Sequence, residues 1–168
     1  YAEGVQHPYL VARPVERIAL LLVAGDKGLC GAFNAQMIAR ARQFREAADA
    51  SIQTITVGSR TAEMARRARL NVVREFPAIN EREQGADVRA IARHVMRLYD
   101  RGDVDQVTCC YSRFLSRISN EPDLQKVLPV PLPEPPHEQN APIFEPPAPE
   151  LVRAMLPQYI VARVFQLL

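Results

Sequence analysis

The apolar run Ile18-Ala19-Leu20-Leu21-Leu22-Val23-Ala24 passes straight into Gly25-Asp26-Lys27-Gly28-Leu29-Cys30-Gly31-Ala32-Phe33-Asn34. No other stretch constrains this chain as much. Seven apolar residues without alternation describe a strand buried on both faces. Three glycines spaced three apart then let the backbone turn sharply into a helical pattern from about Ala35 to Ala47. Strand, glycine loop and helix together are the arrangement on which phosphate sites are often built. The spacing fits neither common version. Lys27 stands where the dinucleotide fingerprint needs its second glycine, and Cys30-Gly31-Ala32 stands where a P-loop needs Gly-Lys-Ser/Thr. Asn34 is expected to cap the helix by accepting backbone N–H bonds.

Strands and helices alternate through the first two-thirds of the chain. Ile52 to Val57 is a β-branched run closed by Gly58, Thr61 to Arg69 a short helix, and Leu70 to Val73 a third strand. Asp87 opens a helix that Gly102 ends near Arg101, and Val104 to Tyr111 is a fourth strand. Such alternation predicts a three-layer α/β/α, Rossmann-like domain. Its sheet is expected to have five strands, mostly parallel, with the first strand central and an antiparallel edge strand near Leu124 to Val130. Nine of the fourteen prolines lie from Pro129 to Pro149, which marks residues 129–149 as an extended connector. Residues 1–16 read as an approach segment, 17–128 as the α/β core and 150–168 as the start of a C-terminal helix, with Pro157 ending or kinking its first part.

At 168 residues the chain is long enough for one domain with a core, and a net charge of +2 points to neither nucleic acid nor an anionic membrane surface. Nineteen arginines against two lysines form an imbalance that codon bias produces without chemical purpose. Arg89, Arg93, Arg97 and Arg101 recur every four residues as a basic stripe, read as the solvated side of a helix, with Asp100 and Glu83 available to pair with it. No run reaches the length of a membrane span, no lipid insertion is expected, and no secretory signal is recognised. Cys109 and Cys110 are neighbours on a strand, so they point to opposite faces and suit neither a disulfide nor a shared metal. Cys30 lacks a second thiol or a histidine beside it and reads as a small apolar residue. His7, His94 and His137 show no ligand spacing, so neither a metal nor a cofactor is expected. Ser112, Ser116 and Ser119 have no histidine nearby in sequence, and no catalytic constellation stands out.

The loop wording resembles the signature of the γ subunit of rotary F-type ATP synthases: a hydrophobic strand, (Ser/Gly)-Asp-(Arg/Lys)-Gly-Leu-Cys-Gly, two residues and an Asn. Asp26, Gly28, Leu29, Cys30, Gly31 and Asn34 match, with Lys27 in place of the commoner Arg. His7-Pro8, Arg13-Pro14, Arg113-Phe114-Leu115-Ser116, Glu121-Pro122, Leu128-Pro129 and Phe144-Glu145-Pro146 agree in order, as do Glu150-Leu151 and Leu156-Pro157-Gln158-Tyr159-Ile160. The resemblance therefore covers nearly the whole chain. It implies the globular domain of a central-stalk rotor that joins a proton-driven membrane c ring to the catalytic hexamer and does no bond chemistry itself. The family's long flanking coiled-coil helices are then not here in full. It also implies that the loop at Asp26, Lys27, Gly28, Leu29, Cys30, Gly31 and Asn34 faces an acidic region of the β subunit. Phe144 and Glu145 would face the c ring, although Pro142 stands where many members carry Tyr. Implied partners are the β and α subunits, the ε subunit and the c ring, on the cytoplasmic face of a bacterial inner membrane. The rival reading is an NADP-dependent oxidoreductase domain. It rests on the strand–glycine–helix turn and on Ser59-Arg60 as a 2′-phosphate site, against the wrong glycine spacing and a missing acidic ribose ligand.

Overall fold

A computed structural model describes residues 7–25, 31–79, 84–116, 119–131 and 148–168. In chain order a one-turn 3₁₀ helix (Pro8–Leu10) precedes β1 (Arg17–Val23), α1 (Gly31–Ala47), β2 (Ser51–Val57), α2 (Ser59–Arg67) and β3 (Val72–Phe76). Then come α3 (Gln84–Asp100), β4 (Gln106–Ser116), β5 (Ser119–Leu128) and α4 (Ala148–Leu167). The strands form one sheet in the order β3-β2-β1-β4-β5, with β1 central as expected. The β1–β2, β2–β3 and β1–β4 pairs are parallel, and β4–β5 is antiparallel. This is the α/β architecture that the alternation predicts.

The period-2 projection of strand side chains divides the core into two layers. Ala19, Leu21, Ile55, Val57, Val107 and Cys109 face one side and pack with Val88, Ile91, Ala92 and Val95 of α3 and with Leu156, Ile160 and Val164 of α4. Leu20, Leu22 and Cys110 face the other side and pack with Met37, Ile38 and Ala41 of α1 and Ala65 of α2. Ala19, Leu20, Leu21 and Leu22 are at most 1% exposed, so β1 is the buried spine of both layers. Fully burying each leucine stabilises the fold by about 1.5–3 kcal/mol. Cys109 and Cys110 fall in opposite layers, as neighbours on a strand must.

Several boundaries differ from the sequence reading. α1 begins at Gly31, four residues before the expected start, and its inward side already includes the partly buried Phe33 and the buried Asn34. β3 begins at Val72 because Leu70 and Asn71 close the turn from α2, where Arg69 adopts φ 58°. α3 starts at Gln84, ahead of Asp87. α4 runs on through Pro157. Both Pro157 and Arg153, whose carbonyl loses its helical donor, are exposed, so water meets the orphaned acceptor. Gly102 takes φ +72° after α3, the left-handed conformation that ends a helix where glycine is favoured. Most of the proline-rich connector, 132–147, lies outside the described residues.

Candidate functional site

Asn34 organises the carboxyl end of the central strand. It stands in the first turn of α1 on the inward stripe with Met37, Ile38 and Ala41, and is only 1% exposed. Its Nδ2 donates to the Gly25 carbonyl at 2.7 Å, and its Oδ1 accepts the Gly25 N–H at 3.0 Å. The side chain thus satisfies both backbone groups of a residue that has left the sheet and has no ladder partner. The expected helix cap is therefore corrected: α1 has already started three residues earlier, so Asn34 reaches back to the strand. Its amide presents a donor and an acceptor side by side to the carbonyl and N–H of one residue, whereas a carboxylate would offer acceptors only. Gly31 opens α1. Asp26, Lys27, Gly28, Leu29 and Cys30 lie outside the described residues, as do Phe144 and Glu145.

This clamp sits beside the point, between β1 and β4, where the strand order of the sheet reverses. α1 leaves β1 on one face, whereas α3 enters β4 from the other, and such switch points are where open α/β sheets bind ligands. Here the neighbour is not a bare strand end. β4 pairs with β1 only from Gln106 to Cys110, then continues with β5 as far as Ser116 against Ser119. The β4–β5 ribbon therefore projects beyond the carboxyl end of β1. Arg113 pairs with Glu121 on it and lies 3.6 Å from Asp123, while the Tyr111 hydroxyl donates to Asp123 at 3.4 Å. Burial and then the Asp123 charge raise the Tyr111 pKa, so its hydroxyl stays protonated. Leu115 is 51% exposed near the tip. The projection is invisible in the spacing of apolar residues, because a ribbon exposed on both faces loses the buried alternation that marks a strand.

The opposite, amino-terminal end of β1 and β4 is tied by Asp105, which is 5% exposed. Its Oδ2 accepts the backbone N–H groups of Glu16 at 3.2 Å and Arg17 at 3.0 Å, and its Oδ1 accepts Arg17 NH2 at 3.1 Å. Desolvation pushes its carboxyl up, but the bonds from Arg17 and from the two amides outweigh this and hold it below the usual range. Arg13 lies 3.4 Å from Asp105 through Nε, stacks 4.0 Å from the Tyr99 ring centre, and donates to the carbonyls of Tyr99 and Val104. Residues 13–17 are thereby strapped across the starts of β1 and β4. Arg13-Pro14 stands out in the sequence, whereas the only signal of Asp105 is an acid between Val104 and Val107.

Neither central cysteine is poised for redox chemistry. Burial raises the Cys109 thiol, and it raises that of Cys110 to about 12 despite nearby Arg40. Among the described residues no group of three His, Cys, Asp or Glu side chains could hold a metal ion, and no helix is long and apolar enough to cross a membrane.

A family model described as ATP synthase matches residues 1–168. The chain belongs to the ATP synthase family. Its ATP synthase relatives include the gamma chain of Desulfitobacterium hafniense, 31% identical over 98% of this chain and 58% of its own length. The gamma chain of Pelotomaculum thermopropionicum is 33% identical over 97% of this chain and 58% of its own. The chain thus spans somewhat over half the length of these relatives. The central stalk and c-ring structure of the Tetrahymena thermophila mitochondrial ATP synthase shares the fold, with a TM-score of 0.67 at 18% identity, over 94% of this chain and 70% of that one. A rotor chain of the Euglena gracilis mitochondrial ATP synthase gives 0.61 at 16% identity, over 95% and 66%. The oxidoreductase alternative finds no support among them.

Proposed function

We propose that this chain is the globular part of an ATP synthase γ subunit, a non-catalytic rotor body that carries torque between a membrane c ring and the catalytic hexamer. The observation that supports it most is the family match along all 168 residues, joined to a fold shared with solved central stalks. A torque-bearing body must resist deformation, and a sheet whose central strand is buried from Ile18 to Leu22 between helix layers meets part of that need, because close-packed interiors have low compressibility. On this reading the subunit belongs to a membrane-associated complex, peripheral on the cytoplasmic face of a bacterial inner membrane, with α, β and ε subunits and the c ring as partners.

The loop Asp26, Lys27, Gly28, Leu29, Cys30, Gly31 and Asn34 would meet the β subunits, and Phe144 and Glu145 the c ring. Lys27 supplies a positive contact worth ~0–1 kcal/mol if exposed, weak enough for a rotor that must pass three β subunits in turn. The test is an ATP synthase reconstituted in liposomes with this chain as the γ body. ATP-driven proton pumping should be lost when the chain is omitted and restored when it is returned. Pumping that proceeds without it, or micromolar NADP binding by the chain alone, would overturn the reading.

A further inference from the structure

One feature of the α3 side belongs neither to the signature loop nor to the strap. A groove of about 500 Å³ runs along α3, with Arg74 and Phe76 of β3 and Arg93, His94, Arg97 and Asp100 of α3 among its lining. Its size falls among small-ligand sites. Among the described residues no carboxylate pairs with Arg74, Arg93 or Arg97, although eight ion pairs elsewhere occupy other arginines. Asp100, the acid expected to neutralise the stripe, instead accepts the Tyr9 hydroxyl at 2.9 Å. Three guanidiniums from two elements thus share one concavity with a single carboxylate, Asp100, that forms an ion pair with none of them. His94 stands between them, edge-on to Phe76 with ring centroids 5.5 Å apart. Burial, then the charges of Arg74 and Arg97, push its pKa below the ordinary histidine value.

We propose that this groove binds a multiply charged phosphate anion, with Arg74, Arg93 and Arg97 taking its oxygens. Guanidinium forks suit phosphate oxygens in pairs. A single carboxylate would leave two of the three charges unmatched, whereas a pyrophosphate unit answers all three. A peptide carrying several acids would need a longer track than one groove of this size. Asp100, held by Tyr9, also lines the groove and repels an anion placed against it, which leaves the arginines as the anion's partners. Bound anion offsets the field of Arg74 and Arg97 at His94, with Arg93, Asp100 and the Tyr9 hydroxyl the other polar groups lining the groove. Binding therefore takes up a proton there, and affinity rises as pH falls through the His94 titration.

The experiment follows the His94 imidazole resonance of the labelled chain by NMR against pH, with and without inorganic pyrophosphate. Pyrophosphate should move the His94 titration up toward the ordinary value of about 6.5. Arg93→Ala and Arg97→Ala should each weaken binding about tenfold while leaving the unfolding midpoint unchanged, since both side chains are exposed. Vesicles of phosphatidylglycerol distinguish the sources. A shift with pyrophosphate assigns a free polyphosphate, and a shift with vesicles alone assigns a lipid headgroup; either sustains phosphate recognition. An unmoved His94 in millimolar pyrophosphate and with vesicles overturns it. So does a response only to a glutamate-rich peptide, or equal binding by the double arginine variant.

Discussion

Asn34→Ala should destabilise the fold through Gly25 alone. The substitution removes the 2.7 Å and 3.0 Å bonds and leaves a carbonyl and an N–H at the end of β1 without partners. Each lost bond is worth about 1 kcal/mol, and an unsatisfied buried group costs roughly 1–3 kcal/mol. Gly25 is half-buried, so water recovers part of this, and about 2–3 kcal/mol remains. For a chain of this length that lowers Tm by roughly 5–10 °C. Asn34→Asp discriminates further. Its carboxylate still accepts the Gly25 N–H but turns a second acceptor toward the Gly25 carbonyl, so near neutral pH it should cost at least as much as alanine. The neutral acid can donate to that carbonyl, which raises the folded-state pKa of the introduced carboxyl above its unfolded value. The deficit relative to the native chain should therefore close as pH falls through the folded pKa. Urea unfolding by circular dichroism across pH reads both effects. An alanine variant within about 0.5 kcal/mol of native, or an aspartate deficit that ignores pH, would refute the clamp.

Other outcomes follow from the same geometry. Asp105→Ala strands two strand-end amides and the Arg13 and Arg17 guanidiniums, and should cost about 3 kcal/mol, the low end for a broken buried pair because both arginines are partly exposed. The folded Asp105 pKa is depressed, so this stability is present above the unfolded carboxyl value of about 3.9 and lost as pH falls through the folded value. Chemical unfolding of native and variant chains should converge in acid. Cys109 and Cys110 should resist iodoacetamide at pH 8 in a Cys30→Ser background, since burial raises both thiols, and mass spectrometry should find them alkylated only in urea. Glu145→Gln in the reconstituted complex should weaken coupling of ATP hydrolysis to proton pumping while Tm stays unchanged; unaltered coupling removes Glu145 from the c-ring contact.

The unbroken apolar run of β1 could be read as a central strand because only burial on both faces accommodates it. The inward stripe of α3 was equally plain, since Val88, Ile91, Ala92 and Val95 repeat at helical spacing. Asn34 was legible as a residue that hydrogen-bonds backbone groups, but as a helix cap and not as a buried clamp. A cap and a clamp place the same amide next to the same glycine loop, and only the start of the helix decides between them. The Asp105 strap and the Arg74 side of the groove were not legible. Each joins residues more than fifteen positions apart through side-chain geometry, which has no periodic signature. Glu83 and Asp100 as partners of the arginine stripe illustrate the same limit: Glu83 lies outside the described residues, and Tyr9 claims Asp100 from across the fold.

The distribution of polar contacts bears on how such a body could carry twist. Apolar packing resists compression but is non-directional, so layers of leucine and valine alone can slide by small repacking steps. Directional bonds at the strand ends prevent that sliding. Asn34 fixes the carboxyl end of β1 to α1, and Asp105 with Arg13 and Arg17 fixes its amino end to β4 and to the carboxyl end of α3 through Tyr99. The central strand is therefore pinned at both ends to different helices on opposite faces of the sheet. A torque entering through either helix layer must strain a charge-assisted or amide bond before it can shear the core. If this is the source of stiffness, Asn34→Ala combined with Asp105→Ala should raise amide hydrogen exchange in β1 by more than the sum of the single variants, because each pin limits what loss of the other permits. Strict additivity would mean that the two pins act independently and do not brace the strand together.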